Sequence, residues 1–160
     1  MLWCAARSVR EERSKQRCAM QEFSHIRVTL IKGKTGWKVG STEALGNAFL
    51  QANQRTQRVL INFVITQLRR YVHGEIPLAQ VYEDVCEIVT NSELYLEKAV
   101  SVQKVFLVRL LSELGYVAPD PVWSPIVTAP TLQMALLLYT SDMVTHVEKA
   151  ITEGTQASHL

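Results

Sequence analysis

The stretch FSHIRVTLI, residues 23–31, decides how the first part of the chain folds. Its side chains alternate between an apolar set and a mixed, mostly polar set. A period of two residues is that of a β-strand, so the pattern predicts a strand with one buried face. The apolar face carries Ser24, Ile26, Val28 and Leu30, and the other face carries Phe23, His25, Arg27, Thr29 and Ile31.

The residues around this strand predict a small β module. The segment KGKTG at 32–36 bears two glycines and predicts a turn, after which Trp37–Val39 returns as a second short strand. Upstream, strand pieces are predicted at 2–6 and 19–23, on either side of a polar loop at 8–16. We therefore assign residues 1–41 to a partial, antiparallel β module.

The rest of the chain, residues 42–160, shows the three-to-four spacing of amphipathic helices. Ser41 or Thr42 is suited to cap a helix that begins at Glu43, with a break in the polar stretch 51–58. Glycine, proline and capping residues then separate the later helices. These are predicted at 78–89, at 91–114 and from Thr131 to about Ile151.

Two segments of the helical part are predicted to lack regular structure. Residues 117–130 contain four prolines, which cannot continue a helix, so we expect an extended connector there. The tail from Gly154 to Leu160 is expected to fray. The predicted fold class is therefore α+β, with a partial antiparallel β module followed by an all-α helical bundle.

Charge is distributed unevenly along the chain, whose formal net charge is +2. Residues 1–38 hold nine basic and three acidic side chains, a balance of +6, so the remainder carries −4. This asymmetry suggests a basic binding face on an acidic body. Small β modules also display lysine and arginine on solvent-facing positions, and charge alone leaves both interpretations open.

The sequence offers no constellation of catalytic or metal-binding residues. Four histidines are scattered at 25, 73, 146 and 159, and cysteines at 4, 18 and 86 form no CxxC pair. Glu83, Asp84 and Glu87 form an acidic cluster, for which a solvated helix face is the ordinary explanation. We therefore expect no enzyme activity, no metal, no cofactor and no membrane segment, in a cytoplasmic protein.

Nucleic-acid binding has better support, because single-strand binders combine a cationic groove with aromatic platforms for base stacking. The β module contains Trp3, Phe23 and Trp37 among its basic residues. Such rings also form the cores of small barrels. We favour a core position for Phe23, and the sequence leaves both interpretations open for Trp37.

Several segments resemble RecO, the bacterial recombination mediator. RSVREERSKQRCAMQEFS at 7–24 is similar to the third and fourth strands of the family's OB-fold and the loop between them, and residues 28–39 resemble the next strand pair. HGE at 73–75 followed by Pro77, and FLVRLLSELGY at 106–116, are similar to two helical motifs of the family. The order of β module and helical bundle is also the family's.

The resemblance implies a function without catalysis. RecO proteins bind and anneal single- and double-stranded DNA, act with RecR, engage the C-terminal tail of single-strand binding protein, and help RecA to load. By this resemblance, basic residues would neutralise phosphates and Trp37 would be a stacking platform. The basic residues are Arg7, Arg10, Arg13, Lys15, Arg17, Lys32 and Lys34.

The chain also departs from the family. The two opening strands of the OB-fold have no counterpart, so we expect a truncated barrel with unpaired edges. Ser8 stands where the family usually has glycine, and the four-cysteine zinc motif of some members is absent. The alternative hypothesis is a helical protein-interaction module without DNA binding, which the connector and the final helix would serve.

Overall fold

A computed structural model describes residues 4–6, 9, 15–34 and 36–158. A short strand β1 (Cys4–Ala5) and helix α1 (Lys15–Ala19) precede a hairpin of strands β2 (Ser24–Gly33) and β3 (Gly36–Asn47). The elements that follow are helical, so the predicted α+β class is confirmed. The helices are α2 (Ala48–Gln51), α3 (Arg55–Tyr71), α4 (Ala79–Thr90), α5 (Ala99–Glu113), α6 (Ser124–Thr128), α7 (Leu132–Leu138) and α8 (Val144–Ala157).

The three described strands form one sheet in the order β1-β3-β2. β1 is parallel to β3, with Cys4 paired to Trp37, and β2 is antiparallel to β3. Gly36 begins β3 with a φ of 118°, a conformation that glycine adopts without a steric penalty. The strand and the turn that the sequence predicts at this place are therefore present.

Side chains of β2 alternate as the sequence predicts. Ile26 and Leu30 are half-buried on one face, and His25 and Arg27 are exposed on the other. Val28 belongs to the apolar face but is 37% exposed. Because every residue of β2 keeps some exposure, the hairpin is an open ribbon and not the wall of a closed barrel.

The helix predicted from Glu43 is wrong. Strand β3 continues across the predicted boundary at 41 as far as Asn47, whose side chain accepts the Leu50 amide at 3.0 Å and caps α2. Pairing with β2 explains the difference, since Thr42 lies opposite Val28 in the ladder. These interstrand bonds outweigh the local capping preference of residues 41 and 42.

The strand predicted at 19–23 is also wrong. Ala19 is the last residue of α1 and is buried, and Phe23 lies in the turn before β2 with a positive φ of 62°. The predicted break in 51–58 is confirmed by the gap between α2 and α3. The helix predicted at 78–89 corresponds to α4.

Helix α5 lies at the centre of the helical part, and α3, α4, α6, α7 and α8 all contact it. Its residues Val105, Phe106 and Leu110 have no exposed surface. A 3-10 turn at Ser92–Tyr95 precedes it, where the sequence predicts a continuous helix. Leu94, which lies in this turn, is 74% exposed.

The connector at 117–130 is not extended throughout, because residues 124–128 form helix α6. Pro125 lies in the first turn of α6, where a proline leaves no helical hydrogen bond unmade. The helix predicted from Thr131 is two helices, α7 and α8, separated by a 3-10 turn at Ser141–Met143. The Thr131 side chain caps α7 by accepting the Met134 amide at 3.1 Å.

The tail does not fray at Gly154 as predicted. Helix α8 continues to Ala157, and Gly154 is buried within it. Because α8 packs against α5, the chain stays helical beyond Ile151, where the sequence pattern ends.

The acidic cluster on α4 is not the solvated face that its sequence suggests. Asp84 is 1% exposed and forms a bidentate ion pair with Arg109, at 2.6 and 3.1 Å. Glu87 accepts the first two amides of α7, at 3.1 and 3.0 Å. Of the three acids, Glu83 is the exposed one. Asp84 and Glu87 therefore join helices together.

Candidate nucleic-acid interface

The turn of the β2–β3 hairpin brings three lysines together. Lys32 and Lys34 flank Gly33, Lys38 lies on the returning strand, and all three are exposed. The Nζ of Lys38 is 3.8 Å from the position that a Cβ on Gly33 would take, so this side chain reaches the turn. The sequence prediction omits Lys38, because the cross-strand register that places it there is not evident from the sequence.

Trp37 is half-buried beside Lys32, between a carboxylate and an ammonium group, and Lys38 lies on the opposite face of the ribbon. Its Nε1 donates a hydrogen bond of 2.7 Å to Oε1 of Glu75, in the segment between α3 and α4. The Nζ of Lys32 lies 5.4 Å from the ring centroid. The ring edge is thus anchored to the helical part, and a cation covers one face of the ring.

We define the hairpin tip as Lys32, Lys34, Trp37 and Lys38. Its side chains are of the types that contact phosphates and bases in nucleic acids. The tip carries three ammonium groups and Glu75 adds one carboxylate, so the local charge is positive. Ammonium groups neutralise backbone phosphates without regard to base sequence, and an indole offers a surface on which a base can stack.

Arg17 is presented by a different element. It is exposed on α1, whose neighbouring residue Gln16 donates a side-chain hydrogen bond to the carbonyl of Gly40 in β3. Helix α1 therefore packs against the strand that leads away from the tip. Lys15 begins this helix, but its side chain lies outside the described part, as do Arg7, Arg10, Arg13 and Trp3.

Another exposed arginine of the hairpin has an acidic partner. Nη1 of Arg27 is 2.7 Å from Oε2 of Glu43 across the β2–β3 ladder, and both side chains are more than half exposed. The pair is close to neutral, so Arg27 contributes less to phosphate binding than the tip lysines. Arg69 lies 3.9 Å from Glu22, a second exposed pair near the start of β2.

Phe23 is a structural residue, as the sequence favours. Its ring stacks on Phe49 with 4.9 Å between centroids, and the guanidinium of Arg58 lies 5.4 Å from the Phe49 centroid. The stack packs against a small cluster that includes Ile61 and joins the hairpin to α3. Neither ring belongs to the hairpin tip.

A separate apolar groove lies between α3 and α4. A cavity of about 320 Å³ is open to solvent there, and Tyr82 and Ile76 at its rim are 61% and 42% exposed. Apolar side chains from both helices and from the segment between them form its walls. They are Leu68, Val72, Ile76, Leu78, Val81, Tyr82 and Val85.

Neither a known protein family, nor a curated protein sequence, nor a solved structure matches the chain. Among the described residues, no three histidine, cysteine, aspartate or glutamate side chains are placed to hold a metal ion. In the same part of the chain, each helix is too short or too polar to cross a membrane.

Proposed function

We propose that this chain is a non-enzymatic, DNA-binding recombination mediator of the RecO type. The observation that carries the proposal is the hairpin tip, where three exposed lysines lie near one turn and one of them, Lys32, lies over a tryptophan whose edge is anchored. Electrostatic contact with phosphates supplies most of the affinity of such proteins for DNA, and stacking adds a sequence-tolerant component.

The finer parts of the proposal rest on the RecO-like segments. They are binding and annealing of single- and double-stranded DNA, action with RecR and with the tail of single-strand binding protein, and RecA loading in the cytoplasm. The order of the elements supports them, since a β hairpin precedes a helical part. Arg109 of the FLVRLLSELGY segment is a buried residue of that helical part.

Removing the charge of the tip is the direct test. In the triple variant Lys32→Ala, Lys34→Ala and Lys38→Ala, affinity for a labelled oligo-dT is expected to fall about ten- to a hundredfold at low salt. The slope of log affinity against log salt should become shallower by about 2, because each phosphate neutralised on a single strand adds roughly 0.7 to it. Fluorescence anisotropy across a salt series measures both quantities.

A matched control removes the same charge from the helical part. Arg55, Lys98 and Lys149 are exposed there, and their triple alanine variant should keep the slope of the unaltered chain. Equal losses in the two variants would mean that net charge and not the tip determines binding. If the folded chain does not bind DNA at low salt, the DNA-binding proposal is wrong.

Glu75 offers a second test, because its carboxylate both holds Trp37 and opposes the lysines. In Glu75→Gln the amide oxygen can still accept from the indole, so the ring stays anchored while one negative charge is lost. We expect oligo-dT affinity to rise about two- to fivefold at low salt, and Glu97→Gln, at an exposed site on the helical part, to leave it unchanged. Anisotropy titrations at one salt concentration compare the two variants.

The second candidate function is a helical protein-interaction module, and the groove between α3 and α4 is the observation that favours it. Exposed apolar surface of this kind is typical of sites where proteins meet. A groove variant such as Tyr82→Ala should keep DNA affinity under the first proposal. Absence of DNA binding by the unaltered chain would leave this second function as the better explanation.

A further inference from the structure

The outer edge of β2 has no strand beside it within the described part of the chain. The sheet order β1-β3-β2 leaves β2 at one edge over its ten residues. Its apolar side chains Val28 and Ile31 are 37% and 57% exposed. An edge strand of this length, with no proline, offers a row of backbone donors and acceptors to another strand.

The two strands of the hairpin differ in regularity. Between the pairs His25–Gly46 and Ile26–Ala44, and again between Val28–Thr42 and Leu30–Val39, the extra residue lies on β3. Bulges twist a strand and disrupt pairing at its edge. Strand β2 carries no bulge residue, so its free edge keeps the regular spacing that a further strand needs.

The sequence of β2 is complementary to itself. When two copies run antiparallel with Val28 opposite Val28, Ile26 of each copy faces Leu30 of the other on the same side of the sheet. On the opposite side Arg27 faces Thr29, so no two like charges are directly opposed in the strand. Apolar cross-strand pairs of this kind stabilise antiparallel sheets.

Charge is compatible with this register. Arg27 is already paired with Glu43 at 2.7 Å, which reduces repulsion between the two copies near the axis. Towards the strand ends, Lys32 of one copy faces Ser24 of the other, so like charges are not opposed there.

We propose that β2 pairs with β2 of a second copy of this chain, antiparallel and about a two-fold axis at Val28. The hairpins of the two copies then form one continuous sheet. Self-association of this kind goes beyond DNA binding and uses the edge of the hairpin rather than its tip.

Sedimentation of the full chain, from about 1 μM to about 200 μM, tests the proposal, since a dimer forms with increasing concentration. A dimer mass at the upper end is expected, and a monomer throughout would overturn the proposal. Val28→Lys should raise the dimer dissociation constant at least about tenfold, because two lysines then face each other.

Ile31→Lys is the matched control, because Ile31 is exposed on the same strand but does not face itself across the axis. Its dissociation constant should change less than about threefold. Mixing Val28→Lys with Val28→Glu should restore a dimer, since the two charges are then opposite. Equal effects of Val28→Lys and Ile31→Lys, or a mixture that stays monomeric, would refute pairing about Val28.

Discussion

Replacing Arg109 with methionine is expected to lower the free energy of unfolding by about 3–5 kcal/mol, a large part of the stability of a typical domain. Arg109 is 2% exposed, and its guanidinium satisfies two kinds of acceptor, a carboxylate and backbone carbonyls. Nε and Nη2 hold the Asp84 carboxylate, and Nη1 donates to the carbonyls of Ile126 and Ala129 at 2.6 and 3.0 Å.

The loss is large because methionine offers no donor to the Asp84 carboxylate or to the carbonyls. Asp84 would keep a buried charge with no counter-charge, and the carbonyls at the end of α6 would lose their donor in a dry interior. Urea denaturation of Arg109→Met measures the change. Arg55→Met, at an exposed site, should change the free energy of unfolding by less than about 0.5 kcal/mol.

A double variant separates the two losses. Arg109→Met combined with Asp84→Leu removes the unpaired carboxylate, and replacing a whole buried ion pair is far less harmful than breaking it. The carbonyls of α6 still lack a donor, so only part of the stability should return. If the double variant is no more stable than Arg109→Met alone, the ion pair is not the source of the loss.

The pH dependence of Arg109→Met follows from the same contacts. Burial raises the pKa of the Asp84 carboxyl, and the Arg109 guanidinium opposes that rise. Without the guanidinium, the folded-state pKa lies further above the unfolded value, so the folded variant binds more protons than the unfolded chain. Its stability therefore falls as pH rises through the folded pKa, and its deficit should be smaller near pH 5 than near pH 8.

Elements with strong local signals could be predicted from the sequence. The two-residue period of 23–31 gives the strand β2 and its faces, and the glycines at 33 and 36 give the turn. Gly115 gives the end of α5, where the amides of Gly115 and Tyr116 donate to the Ser112 and Leu111 carbonyls. Each of these features depends on residues close together in the chain.

Features that depend on distant partners could not be predicted in this way. Residues 41 and 42 have the side chains of a helix cap, but pairing with β2 makes them part of a strand. Asp84 shows the pattern of a solvated acid, and only the position of Arg109, 25 residues further on, explains its burial. Four prolines predict an extended segment, yet Pro125 lies where a helix accepts it.

The same distinction between local and distant contacts applies to the candidate site. Lys32, Lys34 and Trp37 come together because they flank one turn, which the sequence shows. The bond from Trp37 to Glu75 spans 38 residues and fixes the ring in a position that periodicity cannot give. Arg17 is on a separate helix, so the predicted basic residues are presented by at least two elements.

Adding a single methyl group at Gly154 is expected to destabilise the chain by about 1–3 kcal/mol. A Cβ on Gly154 would lie 2.5 Å from Cγ2 of Val117 and 3.1 Å from Cδ1 of Leu111. Alanine in the middle of an exposed helix stabilises by about 1 kcal/mol relative to glycine. Here the overlap outweighs that gain, because Val117 is branched at Cβ and packed in the core.

Thermal or urea denaturation of Gly154→Ala measures the loss, and a second substitution identifies its cause. Val117→Ala removes the Cγ2 atom that the new methyl group would meet. The double variant should therefore be more stable than the sum of the two single losses predicts. Additive losses would mean that Gly154 and Val117 are not in contact, and that the close approach of α8 to the residues after α5 does not exist in solution.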